Sequence, residues 1–236
     1  MSGVFKNIKF SKVSVGFEGQ EILQACDFDF PMNKNCRFVF ANDREKYFFF
    51  HAASQVEGFT AGSYSINQEN VLEMSFEDFM KFRINMGFGF STRGLLQNRT
   101  LRQNLLLPLE FHNLFVGPER VEWLNNCLEY FDIRSDLDKR PSEVSPSTQK
   151  STLILRAFIH QPELVFLDTP EALLSKRHQA NLLQMIDDHR KHHNLRHLFF
   201  ATADEDLSDC LADEYIILSK KRLKHVTTQN KSRGVA

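Results

Sequence analysis

The chain has 236 residues, of which 42% are hydrophobic and 25% are charged, and its formal net charge is −1. This length can bury a sizeable core, and the composition is ordinary for a soluble globular protein. The balanced charge gives no general argument for nucleic-acid binding. The sequence contains no apolar run near the roughly 20 residues that span a bilayer, and its N-terminus has no hydrophobic signal region.

The four cysteines, Cys26, Cys36, Cys127 and Cys210, are widely scattered and form no C-x-x-C pair. This spacing argues against a metal site or a disulfide framework, and it fits a reducing compartment. We therefore expect a cytoplasmic location.

The first third of the chain alternates short apolar runs with turn residues, which predicts strands over residues 9–17, 21–31 and 35–40. The third run is continuously apolar, as is typical of a buried strand in a parallel sheet. A helix from about Lys46 to Val56 follows, and residues 62–71 have a hairpin-like pattern.

The middle of the chain changes to a helical pattern between Leu101 and about Asp132, and residues 121–133 have amphipathic spacing. A helix over 147–160 then precedes an apolar strand that ends in Asp168. The remaining elements are predicted in this order: a helix over 176–191, a strand over 196–202, a short helix over 206–212 and a strand pair over 214–226. Strands that alternate with helices of this length predict βαβ units and a mostly parallel sheet.

The stretch FANDREKYFFFHA (residues 40–52) lies where a predicted strand leads into a helix. It has the spacing of a phosphate-binding loop and a lysine, Lys46, in the corresponding place. It has no glycine, although glycines let successive backbone N–H groups turn towards phosphate oxygens.

Three longer segments, residues 86–112, 141–174 and 199–223, resemble an ATP-binding-cassette (ABC) ATPase subunit of the stand-alone type that pairs with separate membrane permeases. The resemblance covers roughly residues 4–225. It implies an α/β, ABC-type P-loop NTPase fold, with a RecA-like, mostly parallel sheet, an N-terminal antiparallel β-subdomain and an inserted helical subdomain. It further implies a core over residues 1–90 and 150–225, a helical subdomain over 91–149 and a polar tail over 226–236.

The family's phosphate-loop motif falls on residues 40–47, where only Lys46 matches it. Asp43 and Glu45 stand at glycine positions, and Tyr47 replaces the short hydroxyl side chain that holds Mg²⁺ in the family. We expect Tyr47 and the phenylalanines after it to fill or cap the space of the phosphates.

The other family positions are carried over one residue at a time. Asp168 matches the Mg²⁺-associated carboxylate, and Thr169 replaces the glutamate that activates water. The remaining positions fall on Phe17 (adenine-stacking ring, or a core residue), Ser91 (Q-loop), Ser145 within Val144–Thr148 (signature), Ser175 (D-loop) and Ala203 (switch histidine). Ser145 and Pro146 nevertheless suit the start of a helix.

These replacements lead to two hypotheses. In the first, the chain is a catalytically degenerate, structural or regulatory subunit with no cofactor and a vestigial nucleotide site. In the second, it is a slow ATPase that uses ATP, Mg²⁺, Lys46 and Asp168. Both hypotheses place it at the inner face of the cytoplasmic membrane, bound to an integral membrane permease and dimerised with itself or with a related ABC ATPase. A nucleic-acid partner is not expected.

The resemblance also implies where the permease docks. We expect the segment at that position to form a partner groove with Leu95, Leu96, Leu105 and Phe111. At two other stretches we expect no ligand. His189, His193 and His197 have the spacing of a metal-binding helix face, but Asn194 is typical of a helix end and His197 is expected to begin the next strand. We therefore expect a solvated helix end rather than a metal site. Residues 220–225 are expected to form a solvated basic strand edge.

Overall fold

The computed structural model of the protein describes residues 3–17, 19–55, 57–90, 94–114 and 117–226. The strands are β1 (Ile8–Phe17), β2 (Gln20–Asp29), β3 (Asn35–Val39), β4 (Phe59–Ile66), β5 (Glu69–Asn70), β6 (Met86–Gly89), β7 (Leu164–Asp168), β8 (His197–Ala201), β9 (Glu214–Ser219) and β10 (Arg222–Val226). The helices are α1 (Asp43–Gln55), α2 (Phe76–Arg83), α3 (Leu101–Phe111), α4 (Pro118–Cys127), α5 (Pro146–Phe158), α6 (Lys176–His192) and α7 (Glu205–Leu211).

These elements form two compact units. Unit 1 contains the described residues of Met1–Arg83, Phe199–Ala201 and Ala212–Ala236, and unit 2 contains those of Ile84–Leu198 and Thr202–Leu211. Strand β8 is divided, because its first two residues belong to unit 2 and its last three to unit 1.

Unit 1 has an antiparallel sheet of order β2-β1-β4-β5. Its core is aromatic: the ring of Phe10 lies edge-on to Phe30 and Tyr64, with centroids 4.9 and 5.1 Å apart. Strand β3 pairs in parallel with β9, and β9 pairs antiparallel with β10. The α/β class and the N-terminal antiparallel sheet are therefore as predicted.

Unit 2 is built on the parallel pair β6 and β7, and all five residues of β7 are buried. Helix α5 packs closely on β6 at Gly87, where a Cβ atom would overlap the carbonyl oxygen of Ala157. Helix α3 packs on α5 in turn. The carboxyl end of β7 is thereby fixed beside the first turns of α5.

The predicted helices and strands after residue 100 are present within a few residues of their expected bounds. Helix α1 begins at Asp43 rather than Lys46, and α2 has no counterpart in the predictions. The domain boundaries stay a prediction, and the expected polar tail lies, but for residue 226, outside the described residues.

Candidate functional site

In unit 1, the start of α1 is capped by its own side chains. The Asn42 side-chain oxygen accepts the N–H of Glu45 at 2.9 Å, and the Glu45 carboxylate accepts the N–H of Ala41 at 3.3 Å. The Asn42 side chain thereby caps the helix, which begins three residues before Lys46. The Lys46 ammonium lies 2.8 Å from the Asp43 carboxylate.

The aromatic run that follows Lys46 divides between surface and core. Tyr47 is 46% exposed and its ring lies against His51, with centroids 4.2 Å apart. That Tyr47 and the phenylalanines after it fill or cap the space of the phosphates stays a prediction. Phe49 and Phe50 are fully buried and pack with Phe38 in unit 1.

Phe17 packs against α1. Its ring is stacked on Phe48, with centroids 4.6 Å apart and planes 10° from parallel. A Cβ atom at Gly58, where φ is +76°, would overlap the Phe17 ring, so a glycine is needed there. The Arg44 guanidinium lies 5.4 Å from the centre of the Phe48 ring. These contacts agree with the interpretation of Phe17 as a packing residue.

In unit 2, Asp168 is buried at the carboxyl end of β7. The Thr169 hydroxyl donates to the Asp168 carboxylate at 2.7 Å, and the buried Lys150 ammonium donates to the Asp168 carbonyl at 3.1 Å. Lys150 was not predicted from the sequence. A signal was available, because this lysine stands next to an apolar helical run.

The signature position provides a well-capped helix. The Ser145 hydroxyl oxygen accepts the N–H of Thr148 at 3.1 Å, and Pro146 occupies the first helical position, as expected from the sequence. Ser145 is exposed, as is Ala203 in the turn between β8 and α7. The Ser91 position lies outside the described residues.

The predicted partner groove is split by burial. Leu95 and Leu105 are buried, and Leu95 packs in the core with Leu101 and Leu153. Leu96 is 45% and Phe111 69% exposed, so these two can contact a partner. The other two leucines cannot do so without leaving the core.

Leu96 is held by the buried Asn104, which was not predicted from the sequence. The Asn104 side-chain amide accepts the Leu96 N–H at 2.7 Å and donates to the Leu96 carbonyl at 3.1 Å. The Arg156 guanidinium donates to the same Asn104 oxygen at 3.5 Å, and burial lowers the pKa of Arg156. Asn104 and Arg156 therefore fix the backbone of Leu96, whose side chain is exposed.

A small cavity of about 110 Å³ lies beside this segment in unit 2. It is lined by Gly94, Leu95, Gln97, Pro146, Gln149, Lys150, Leu153 and Leu173. The volume is below that of most small-molecule pockets. The segment around Leu95 and the first turns of α5 both line this cavity.

Of the three histidines around the end of α6, His189 differs from its prediction, whereas His197 begins a strand as expected. His189 is 1% exposed, and its ring contacts Trp123, Phe158 and His193, so it is not part of a solvated helix end. Burial lowers the pKa of His189 to about 4. His197 lies in β8, with its Nε2 3.5 Å from the Glu163 carboxylate. Within the described residues, no group of three or more His, Cys, Asp or Glu side chains is placed to hold a metal ion.

No helix in the described part of the chain is long and apolar enough to cross a membrane. No protein-family model matches the chain.

Curated relatives of the chain are ATP-binding proteins of transport systems. The bacitracin export ATP-binding protein BceA of Halalkalibacterium halodurans is 26% identical over 70% of this chain and 65% of its own length. The lipoprotein-releasing system ATP-binding protein LolD of Buchnera aphidicola is 26% identical over 77% of this chain and 83% of its own length. The match thus spans just under two thirds of the first of these relatives.

The fold is that of solved ABC cassettes. The dimeric structure of a bacterial ABC transporter cassette aligns over 97% of this chain and 100% of its own, with a TM-score of 0.80 and 17% identity.

The expectation of no cofactor needs correction. It rested on the missing glycines, whereas the relatives that the chain matches are named as ATP-binding proteins. The RecA-like expectation for the fold is confirmed at the level of the ABC cassette. By sequence and by fold, the chain is a relative of the ATP-binding subunits of ABC transporters.

Proposed function

We propose that the chain is an ATP-binding subunit of an ABC-transporter-type complex, and that it hydrolyses ATP slowly. The observation that carries this proposal is the position of two side chains that suit nucleotide chemistry. Lys46 lies on the first turn of the helix after β3, and Asp168 lies at the carboxyl end of β7. Ligands of open α/β sheets bind at the carboxyl ends of the strands.

Both residues fit the groups that ATP and Mg²⁺ present. An ammonium on the first turn of a helix suits phosphate oxygens, and a carboxylate suits Mg²⁺, which prefers oxygen ligands. When bound, Mg²⁺ neutralises charge on the phosphates. Binding at α1 requires Lys46 to exchange its contact with Asp43 for one with phosphate, because the two charges now lie 2.8 Å apart.

Slow turnover follows from the residue after Asp168. A threonine hydroxyl is not a general base near neutral pH, and the Thr169 hydroxyl already donates to Asp168.

The same proposal includes partners and location. We expect the chain to dimerise with itself or with a related ABC ATPase, and to bind an integral membrane permease at the inner face of the cytoplasmic membrane. The names of the relatives, a bacitracin export ATP-binding protein and a lipoprotein-releasing system ATP-binding protein, support this, and the exposed Leu96 and Phe111 supply a contact surface.

A second candidate is a regulatory subunit whose own site contributes little turnover to the complex. The observation that favours it is the self-capped start of α1, where Asn42 and Glu45 take up backbone N–H groups. In that case the partner ATPase carries most of the hydrolysis.

Calorimetry with Mg-ATP tests the proposal. We expect Lys46→Ala to weaken binding about 10- to 100-fold, because it removes a charged contact worth about 1.5–3 kcal/mol. Asp43→Asn should strengthen binding several-fold, since it frees Lys46 and removes a negative charge. Lys191→Ala, which breaks an exposed ion pair on α6, is the matched control and should leave binding unchanged. Absence of ATP binding by the wild-type protein would overturn the proposal.

A further inference from the structure

One face of the Phe17 ring is covered by the helix that carries Lys46. Phe48, which belongs to α1, is stacked on the Phe17 ring with centroids 4.6 Å apart and planes 10° from parallel. Lys46 lies two positions before Phe48 in the same helix of unit 1. A nucleotide whose phosphates are held by Lys46 would approach Phe17 from the side of α1. The ring face on that side is therefore already occupied by a side chain of this protein.

The tip of the Phe17 ring is enclosed as well. A Cβ atom at Gly58 would overlap the Cζ atom of the ring, so the ring tip lies directly against the backbone of Gly58. The Gly16 N–H donates to the Gly58 carbonyl at 2.9 Å, which holds the two segments together beside Phe17. The ring is thus confined at its tip and at one face.

Phe48 is itself held in the stack by its neighbours. The Arg44 guanidinium lies 5.4 Å from the centre of the Phe48 ring, which is within the range of a cation–π contact. The Tyr47 ring lies at 70° to that of Phe48, with centroids 5.3 Å apart. Stacked and edge-to-face ring pairs are both favourable arrangements. A nucleobase would have to displace these contacts of Phe48 before it could reach Phe17.

Stacking on an aromatic ring is a common way in which proteins bind a nucleobase. It requires an open ring face, and it contributes about 5- to 150-fold to affinity for each base. Nucleoside triphosphates share their phosphates and differ from one another in the base. A site that does not stack the base therefore has little means of preferring one of these ligands by this route.

We propose that this chain binds nucleoside triphosphates through their phosphates without stacking the base on Phe17, and that it accepts them irrespective of the base. Phe48 is the residue that determines this lack of selectivity, because its ring takes the place of the base. The proposal rests on the proposed function, in which Lys46 contacts the phosphates. It broadens the substrate class of that site from ATP to nucleoside triphosphates in general.

Calorimetry on the wild-type protein with Mg-ATP, Mg-UTP and Mg-tripolyphosphate is the first test. Tripolyphosphate has neither base nor ribose and so measures the contribution of the phosphates alone. We expect the three dissociation constants to differ by less than about fivefold, the lower limit of what one stacked base contributes. ATP or UTP that binds more tightly than tripolyphosphate by more than this factor would overturn the proposal.

The second test opens the ring face of Phe17 with Phe48→Ala. We expect this variant to bind ATP at least about fivefold more tightly relative to tripolyphosphate, since the base can then stack. Adding Phe17→Leu to the same variant should cancel the gain. Tyr47→Ala, which removes the neighbouring exposed ring, is the matched control and should leave the ratio of the two affinities at its wild-type value.

The outcomes separate this proposal from the proposed function. A Phe48→Ala variant that binds tripolyphosphate like the wild type but gains nothing for ATP would overturn the role of Phe48. A loss of ATP affinity alone in Tyr47→Ala would place the base on Tyr47 and would also overturn the proposal. Wild-type binding that is selective for ATP would leave the proposed function intact, whereas a wild-type protein that binds none of the three ligands would overturn both.

Discussion

His189 lies on the buried face of α6, and its environment makes the stability of unit 2 dependent on pH. Its folded pKa of about 4 is below the ordinary value of 6.5, because burial disfavours the charged ring. The stabilisation is therefore fully present above pH 6.5 and is lost as the pH falls from there through 4. A difference of about 2.5 pKa units corresponds to roughly 3 kcal/mol of unfolding free energy. Urea denaturation at pH values from 7.5 to 4 measures it.

The control for this prediction is another histidine of the same helix. His189→Gln should flatten the pH dependence between 6.5 and 4, whereas His192→Gln, at an exposed position, should retain it. The titratable groups beside His189 are His193, Tyr130 and Asp188, and burial also lowers the pKa of His193. A steep pH dependence that survives in His189→Gln would contradict the assignment.

The position of a single residue was predictable from the sequence where a motif specifies it. It was not predictable where the role of the residue depends on its burial. Lys46 and Asp168 could be placed at a helix start and a strand end from the pattern alone. Asn104 could not, because a polar residue in a helix has the same pattern whether it faces water or the core. His189 was misjudged for that reason: its burial depends on Trp123 and Phe158, which are distant in sequence.

At the scale of elements, the start of α5 depends on one hydroxyl. Ser145 accepts the N–H of Thr148, so Ser145→Ala should lower the free energy of unfolding by about 1 kcal/mol, the usual cost of losing an N-cap. Thermal or urea unfolding of the purified protein measures the loss. Ser142→Ala, at an exposed position of the preceding 3₁₀ turn, should be neutral within a few tenths. Equal losses in both variants would show that the cap is not responsible.

The elements with strong apolar patterns were predicted, and those defined by polar residues were not. Strand β7 and helix α6 were placed to within a residue or so, since burial imposes their periodicity. Helix α2 buries no residue, so it leaves no apolar pattern, although Ser75 caps it through the N–H of Asp78. The start of helix α1 was predicted too late because Glu45 was interpreted only as the replacement of a glycine, and the cap that Asn42 provides was not considered.

At the scale of the molecule, the resemblance of long segments was a better guide than any one motif. The missing glycines between residues 40 and 47 suggested a protein without a cofactor, whereas relatives that match most of the chain are ATP-binding proteins. A fold of this size is specified by many packed positions, such as the five buried residues of β7, and these persist when a loop changes. The residues of this one loop are therefore a better guide to the rate of ATP hydrolysis than to whether ATP binds.

Assembly with a membrane partner should depend on the exposed residues Leu96 and Phe111. Of the four residues of the predicted groove, only Leu96 and Phe111 are substantially exposed, so the double variant Leu96→Asp, Phe111→Asp should introduce two charges into the contact without unfolding unit 2. Because buried unpaired charges in an interface are costly, co-sedimentation with membranes that contain the native complex should fall at least tenfold. Val121→Asp places a charge on another exposed apolar residue, in α4, and should bind like the wild type. Membrane association that survives the double variant, or is lost equally with Val121→Asp, would show that the permease contact does not use these two residues.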